Sequence, residues 1–400
     1  MKTATITWIT YNNYGTLLQA YALQTYLRQE GISNDIISDS NIIKLPIRNL
    51  KQDIQSSESP ASSADKCRLG KNMKRIKKYA LHPVDFVKAL HSLALDKREI
   101  LEQQRFLDAQ KMLEAFKNNR LNIVYGLQRE DMASLNQRYD AFLCGSDQIW
   151  SVLDQNFDGY YYLNFAKKKK ISYAASIGTD QIDQPHCAQI KAWLNDFSAI
   201  SVREIQTAKQ LSELTRRNVK WVADPTLLHE KAFWTEFSTD AICPQENYLL
   251  CYFLSDKPWY FEYASAVAKY LKLKIIMIPT NAKQMRRKEC YQNTVDPTGF
   301  VSLIHHAQFV LTDSYHGSIF SILFEKNFLY LKRFNDSDQN CQNIRILSLF
   351  ERVGLLNRIV EGKKFSPDDL KPINYRAIDD ILRVFREQSR EFLRDALLSV

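Results

Sequence analysis

A chain of 400 residues with 45% hydrophobic, 25% charged and 12% aromatic residues has the make-up of a folded globular protein, which excludes a disordered chain. Its 11 glycines are under half of the roughly 7% of average usage, and no two have the spacing of a dinucleotide fingerprint or a phosphate-binding loop, which argues against an ordinary NAD-dependent enzyme or P-loop NTPase. The 54 Lys and Arg against 45 Asp and Glu leave a net charge of +9, which admits nucleic acid, a membrane surface or a small anionic substrate as partner.

Strand-length apolar runs alternate with helix-period segments, the pattern of parallel sheets with crossover helices. The first series of strands is read at residues 3–9, 35–38, 141–144, 171–174, 199–202 and 220–223. The second lies at 248–253, 274–278, 309–311 and 328–331. The expected fold class is therefore α/β with two doubly wound domains, 1–228 and 248–374. The polar stretch 229–247, with Pro244, is the expected linker. Ile378, Ile381, Leu382, Phe385, Phe392, Leu393 and Leu397 recur at helical spacing, so 375–400 reads as a closing helix.

Between about 49 and 122 the pattern breaks into a Ser-rich stretch and a basic run of Lys66, Arg68, Lys71, Lys74, Arg75, Lys77 and Lys78 without an acidic residue. A helical stretch with Phe86, Leu90, Leu93, Ile100, Leu107 and Leu113 follows, an excursion from the first domain. Its bland role is a solvated charged face over a local core. Its alternative role, over 66–116, is peripheral contact with anionic membrane at the inner face. The basic residues are not interleaved with a recognisable binding module, so nucleic acid is set aside. The N-terminus lacks the apolar region of a signal peptide and no run is long enough to span a bilayer, so the expected location is the cytoplasm. Seven scattered cysteines without a CxxC pair indicate neither a disulfide framework nor a zinc site; no metal and no tightly bound cofactor are expected.

In open parallel sheets ligands sit beyond the carboxyl ends of strands, so the loops there are the candidate sites. After the first strand come Asn12, Asn13, Tyr14 and Gly15, with Gln19 in the following helix. This is either a capped turn or a place where free amides meet an anionic or hydroxyl-rich ligand. Gly145, Ser146, Asp147 and Gln148 offer a sharp turn, a hydroxyl, a carboxylate and an amide; Asp147 is a candidate general base, with helix capping as the alternative. Ser176 and Gly178 lie in a loop of small residues. In the second domain Asp313, Ser314, Tyr315, His316, Gly317 and Ser318 place a histidine at a helix N-terminus among hydroxyls and a carboxylate, a candidate for acid-base work. Arg203 and Arg345, the latter beside Asn343, are candidate anion clamps, with surface pairing as the alternative.

Taken in order, Asn12-Asn13-Tyr14-Gly15 with Leu18-Gln19-Ala20-Tyr21-Ala22-Leu23, Gly145-Ser146-Asp147-Gln148-Ile149-Trp150, Ser172-Tyr173-Ala174-Ala175-Ser176-Ile177-Gly178, Ser201-Val202-Arg203-Glu204, Asp224-Pro225-Thr226 and Thr312-Asp313-Ser314-Tyr315-His316-Gly317 resemble the motifs of the polysaccharide pyruvyl transferase family. The resemblance implies two Rossmann-like domains facing a cleft in the GT-B manner, the first on the acceptor side and the second on the donor side. It further implies transfer of a pyruvyl group from phosphoenolpyruvate, as co-substrate, to two hydroxyls of a sugar or lipid-linked oligosaccharide, forming a ketal in exopolysaccharide or capsule synthesis at the cell envelope. It matches His316 and Arg203 to functional positions; in the mechanism expected from these residues, Asp147 or Asp313 accepts a sugar hydroxyl's proton. One departure stands out: members often carry Arg-Leu before the histidine, where this chain has Ser314-Tyr315, so Arg345 or another basic residue must replace that arginine, or the donor differs. The alternatives are a glycosyltransferase using a nucleotide sugar, and a non-catalytic glycan-binding or scaffold member.

Overall fold

The computed structural model describes residues 1–10, 12–43, 83–152, 157–291, 293–338 and 340–398, with side chains from residue 99 onward in the helix that begins at 83. The Ser-rich stretch, the basic run 66–78 and the side chains of Phe86, Leu90 and Leu93 lie outside the described residues. The first unit runs β1 (Lys2–Ile6), α1 (Tyr14–Gln29), β2 (Ser33–Ile37), α2 (Pro83–Arg120), β3 (Ile123–Val124), β4 (Ala141–Cys144), β5 (Lys169–Ser172), α3 (Gln184–Leu194), β6 (Ile200–Val202), α4 (Ile205–Thr215) and β7 (Val219–Trp221). After α5 (Lys231–Phe237), the second runs β8 (Tyr248–Tyr252), α6 (Pro258–Leu271), β9 (Lys274–Ile278), α7 (Pro297–His306), β10 (Phe309–Thr312), α8 (Tyr315–Leu323), β11 (Phe328–Leu331), α9 (Ile344–Val353) and β12 (Ile359–Val360); α10 (Tyr375–Leu398) ends the chain.

Each unit is built on a five-stranded parallel sheet, in the orders β3-β2-β1-β4-β5 and β12-β11-β10-β8-β9. The strands of both sheets are buried over most of their length, as parallel sheets covered on both faces require, although β1, β2 and β5 carry Thr, Ser, Asn, Asp or Lys beside their apolar residues. Single bridges from Ile171 to Ala199 and from Ala175 to Val202 carry the first sheet on toward the β6-β7 pair. In both sheets the strand order reverses once, between β1 and β4 and between β8 and β10. A crevice opens at the carboxyl ends on either side of such a reversal. The loops after β1, β4 and β10 picked out as candidate sites therefore stand at the two switch points.

The α/β expectation with two parallel-sheet units holds, and each of the ten predicted strands is present. Two edge strands, β3 and β12, went unread because two residues carry no periodicity. The segment 229–247 is more than a linker: α5 sits within it, and Trp234 is fully buried with its indole N–H donated to the Thr226 carbonyl at 3.0 Å. The helical excursion does not close over a purely local core either. Phe116 of α2 meets Tyr21 of α1 edge-on at 5.8 Å, while Glu102 pairs with Arg286 at 2.9 Å and Arg105 donates to the Tyr291 carbonyl at 3.3 Å, so α2 spans both units. The closing helix α10 returns to the first unit, where Ser389 accepts from the Ala223 amide at 2.9 Å and Arg386 donates to the Leu227 carbonyl at 2.8 Å. No described helix is long and apolar enough to cross a membrane.

His229, at the start of the same segment, makes the fold sensitive to acid. Its Nε2 donates to the Ala22 carbonyl at 2.9 Å and its ring stacks on Phe233 at 3.9 Å. Burial first, then the nearby Arg390 and Arg386, push its pKa down to about 4. The unfolded chain takes up this proton near pH 6.5, whereas the folded chain resists until about pH 4. That contribution is complete above pH 6.5 and is lost as pH falls toward 4, on the order of 2–3 kcal/mol. Urea unfolding at pH 7 and 4.5 should show a larger loss of stability for the parent than for His229→Gln; equal losses would remove this role.

Candidate active site

Five strand-end loops of the first unit and one of the second converge on a buried cluster of charge. Arg203, just beyond β6, is its centre. Its Nη1 donates to Asp224 at 2.8 Å, its Nε lies 3.5 Å from Glu204 and its Nη2 lies 3.8 Å from Asp147. Tyr315, entering from the second unit, lays its ring against the guanidinium at 4.6 Å. Burial works against a charged guanidinium, but Tyr315, Asp224, Glu204 and Asp147 outweigh it and hold the Arg203 pKa above its ordinary value.

Asp224 follows β7 and caps a short helical turn: its Oδ1 accepts from the amide and hydroxyl of Thr226 at 3.0 and 2.7 Å. The other oxygen, Oδ2, faces Arg203 and also lies 3.5 Å from His316 Nε2 and 3.5 Å from Ser146 Oγ. Burial alone would raise its pKa; the pull of His316, then Arg203 and Thr226, keeps it well below the usual carboxylate range. His316 sits in the first turn of α8, whose N-cap is Ser314, accepting from the Gly317 amide at 3.2 Å. Its other edge presses on Gly15: a Cβ there would lie 2.1 Å from His316 Nδ1. Gly15 is thus required by close approach of the opposite unit.

Asp147 has a left-handed backbone, φ 71°, that turns its carboxylate inward. Its Oδ2 accepts from Thr16 at 2.9 Å and its Oδ1 from the Gln148 amide at 2.9 Å. Ser176 donates to Glu204 at 2.6 Å. Glu204 is fully enclosed, and burial raises its pKa against the opposing influence of Arg203, Ser176 and Arg345. Arg345, in the first turn of α9, donates Nη2 to the Gln342 side chain at 3.0 Å and forms no ion pair among the described residues. Burial, followed by repulsion from Arg203, pushes its pKa down to about 10, with Arg333 adding to the repulsion.

The structure thus brings together Gly15, Ser146, Asp147, Ser176, Arg203, Tyr315 and His316, with Arg345 close enough to repel Arg203. Gln148 packs against Gly178, where a Cβ would meet its Nε2 at 2.3 Å. Other candidates serve the scaffold. Asp313 accepts from the Leu254 and Ser255 amides at 2.6 and 2.9 Å, tying the end of β10 to that of β8, so both oxygens are engaged by the scaffold. Tyr14 donates to the Val295 carbonyl at 2.9 Å and stacks on Phe300 at 4.6 Å, joining the units. Gln19 donates to Thr7 and to the Thr16 carbonyl, Asn13 caps α1 by accepting from the Gly15 amide, and Ser318 donates to the Ser314 carbonyl. Asn343 donates to the Phe334 carbonyl and to Asp336. Asn12 is half-buried with an unpartnered Oδ1. Gly317 lies so close to Thr312 that a Cβ would be 2.5 Å from its hydroxyl oxygen.

Three members of the cluster, Asp224, Glu204 and Arg333, were given no role from sequence. The first two lie within quoted motifs but have no neighbouring residues that reveal their partners. Four buried polar groups here, Gln148 Nε2, Arg203 Nε and Nη2, Glu204 Oε2 and His316 Nε2, have no hydrogen-bond partner among the described residues. Buried groups of this kind are ordinarily hydrogen-bonded, and these four converge from two units.

A family model described as polysaccharide pyruvyl transferase matches residues 13–333. No curated protein matches the chain significantly. Among solved structures the chain is similar to a UDP-GlcNAc 2-epimerase from Neisseria meningitidis bound to UDP-GlcNAc, at 9% identity and TM-score 0.47 over 100% of both chains. It is similar to Anabaena Alr3699/HepE in complex with UDP and glucose, at 9% identity and TM-score 0.47 over 100% of both chains. It is also similar to the E. coli heptosyltransferase WaaC with ADP-2-deoxy-2-fluoro heptose, at 11% identity and TM-score 0.37 over 96% of this chain and 99% of that one.

Proposed function

The chain belongs to the polysaccharide pyruvyl transferase family, and from that premise we propose that it moves a pyruvyl group from phosphoenolpyruvate onto two hydroxyls of a sugar in a cell-surface polysaccharide precursor. The observation that carries this reading is Arg345. A half-buried guanidinium that forms no ion pair among the described residues, beside Arg203 and Arg333, suits a small donor bearing several negative charges. It also supplies the cation that Ser314-Tyr315 leaves out ahead of the histidine.

In this reading His316 donates a proton to the methylene carbon of phosphoenolpyruvate, which becomes the methyl group. Positive charge develops at C2, and one sugar hydroxyl adds there as its proton passes to Asp147. The second hydroxyl then attacks C2 as its proton passes to the imidazole of His316, the bond from C2 to the phosphate oxygen breaks, and phosphate leaves with the proton held by Asp147. The phosphate's charge is met by Arg203, Arg345 and the free amides at the start of α8. Gln148 and the loop around Ser176 line the side from which the sugar approaches.

The test is phosphate release from phosphoenolpyruvate in the presence of candidate glycans, with the methyl signal of the ketal followed by NMR. Arg345→Gln should raise the KM for phosphoenolpyruvate ~10–100-fold with a smaller change in kcat, the size of one lost charged hydrogen-bonding contact. Release that depends on a nucleotide sugar instead would overturn the donor.

A further inference from the structure

Nothing in the reaction just described uses Asp224, although it lies at the seam between the units and touches two of the groups that do the work. We propose that Asp224 is a positioning residue whose single oxygen Oδ2 holds Arg203 of the first unit and His316 of the second in one arrangement, so that the acid and the anion clamp are assembled together. The inference rests on the pyruvyl-transfer reading for its consequence in catalysis, but not for its geometry.

The geometry is specific. Oδ1 is used up by the Thr226 amide and hydroxyl, which fixes the plane of the carboxylate. Oδ2 is left to receive Arg203 Nη1 at 2.8 Å and to face His316 Nε2 at 3.5 Å, with Ser146 Oγ also 3.5 Å away. The residue is 1% exposed, so its charge is little screened by water. The titratable and charged groups that bear on it are Arg203, His316, Tyr173 and Tyr315; Glu204 and Asp147 bear on Arg203. His316 has little freedom to move elsewhere, since Gly15 closes its opposite edge. The Nε2 contact, at 3.5 Å, is long, so that nitrogen has no hydrogen-bond partner among the described residues and stays available to a ligand beside the carboxylate.

Asp224→Asn keeps the shape and the Thr226 contacts and removes the charge. With histidine ring carbons labelled and the His316 signal assigned by its loss in His316→Asn, the His316 titration midpoint should move to lower pH than in the parent, because the neighbouring carboxylate is gone. The basic limb of the kcat/KM profile should move in the same direction, and Asp224→Glu should restore much of it. A purely structural role would lower activity or melting temperature without moving either midpoint, and an unmoved His316 titration in a folded Asp224→Asn protein overturns the proposal. Should Asp224→Asn fail to fold, Asp224→Ser, which retains a hydroxyl to cap Thr226, takes its place in the same measurement. The titration needs no donor. A midpoint that moves in Asp224→Asn, when the parent releases no phosphate from phosphoenolpyruvate, would sink the donor and leave the role of Asp224 standing.

Discussion

Replacing His316 by Ala should lower turnover by ~10²–10⁴-fold, the usual contribution of a positioned acid, while changing stability by no more than about 1–2 kcal/mol. The two effects separate because of where the histidine sits. Its ring lies at the seam of the two units and faces Asp224, Tyr315 and Gly15. Removing it leaves Asp224 still bound to Arg203 at 2.8 Å and to Thr226 twice, so no buried charge is stranded. The backbone of α8 keeps its Ser314 cap, and alanine is a good helix former. Single-turnover measurements should place the loss in the chemical step, with donor affinity, read by protection against thermal unfolding, reduced less. Retained turnover in His316→Ala would end its role as the acid, and a loss matched by unfolding would show that the residue is structural.

Much of this arrangement was legible in the sequence, for definable reasons. Parallel strands covered on both faces are rich in apolar residues, and ten were visible even where polar residues interrupt the run, as in β1 and β5, whereas the two-residue edges β3 and β12 carry no pattern. The loops stood out because ligands sit beyond the carboxyl ends of parallel strands, and strand-to-helix turns announce themselves by Asn, Ser, Asp and Gly. What a side chain does within a loop depends on partners far away in the chain. Tyr14 is claimed by a carbonyl 281 residues on, and Asp313 by amides 59 and 58 residues back, so two residues that looked equipped for a ligand hold the scaffold together. Asp224 was hidden in the opposite way. An aspartate before Pro-Thr reads as a helix cap, and it is one, but only the folded chain shows its second oxygen turned to Arg203 and His316.

Gly15→Ala should lower kcat by ~10²-fold, the order expected when a reacting group is displaced by about 1 Å, while leaving thermal stability close to the parent's. The helix would accept the change, since Gly15 lies inside the first turn of α1 without a left-handed backbone, and alanine there favours helix by up to about 1 kcal/mol. The collision is wholly with the other unit: the new methyl would lie 2.1 Å from Nδ1 and 2.6 Å from Cγ of His316, too close for any real contact. Either the imidazole swings away from Asp224 or the units part at the seam, and in both cases the His316 to Asp224 contact at 3.5 Å is lost. Gly354→Ala is the matching control. It sits at a left-handed position, φ 70°, with nothing within 4 Å of the added atom, so it should cost about 1 kcal/mol of stability through backbone strain and leave turnover unchanged. Activity and stability should therefore move in opposite order in the two variants. If Gly15→Ala keeps full turnover, the contact between Gly15 and His316 is not what holds the imidazole in place.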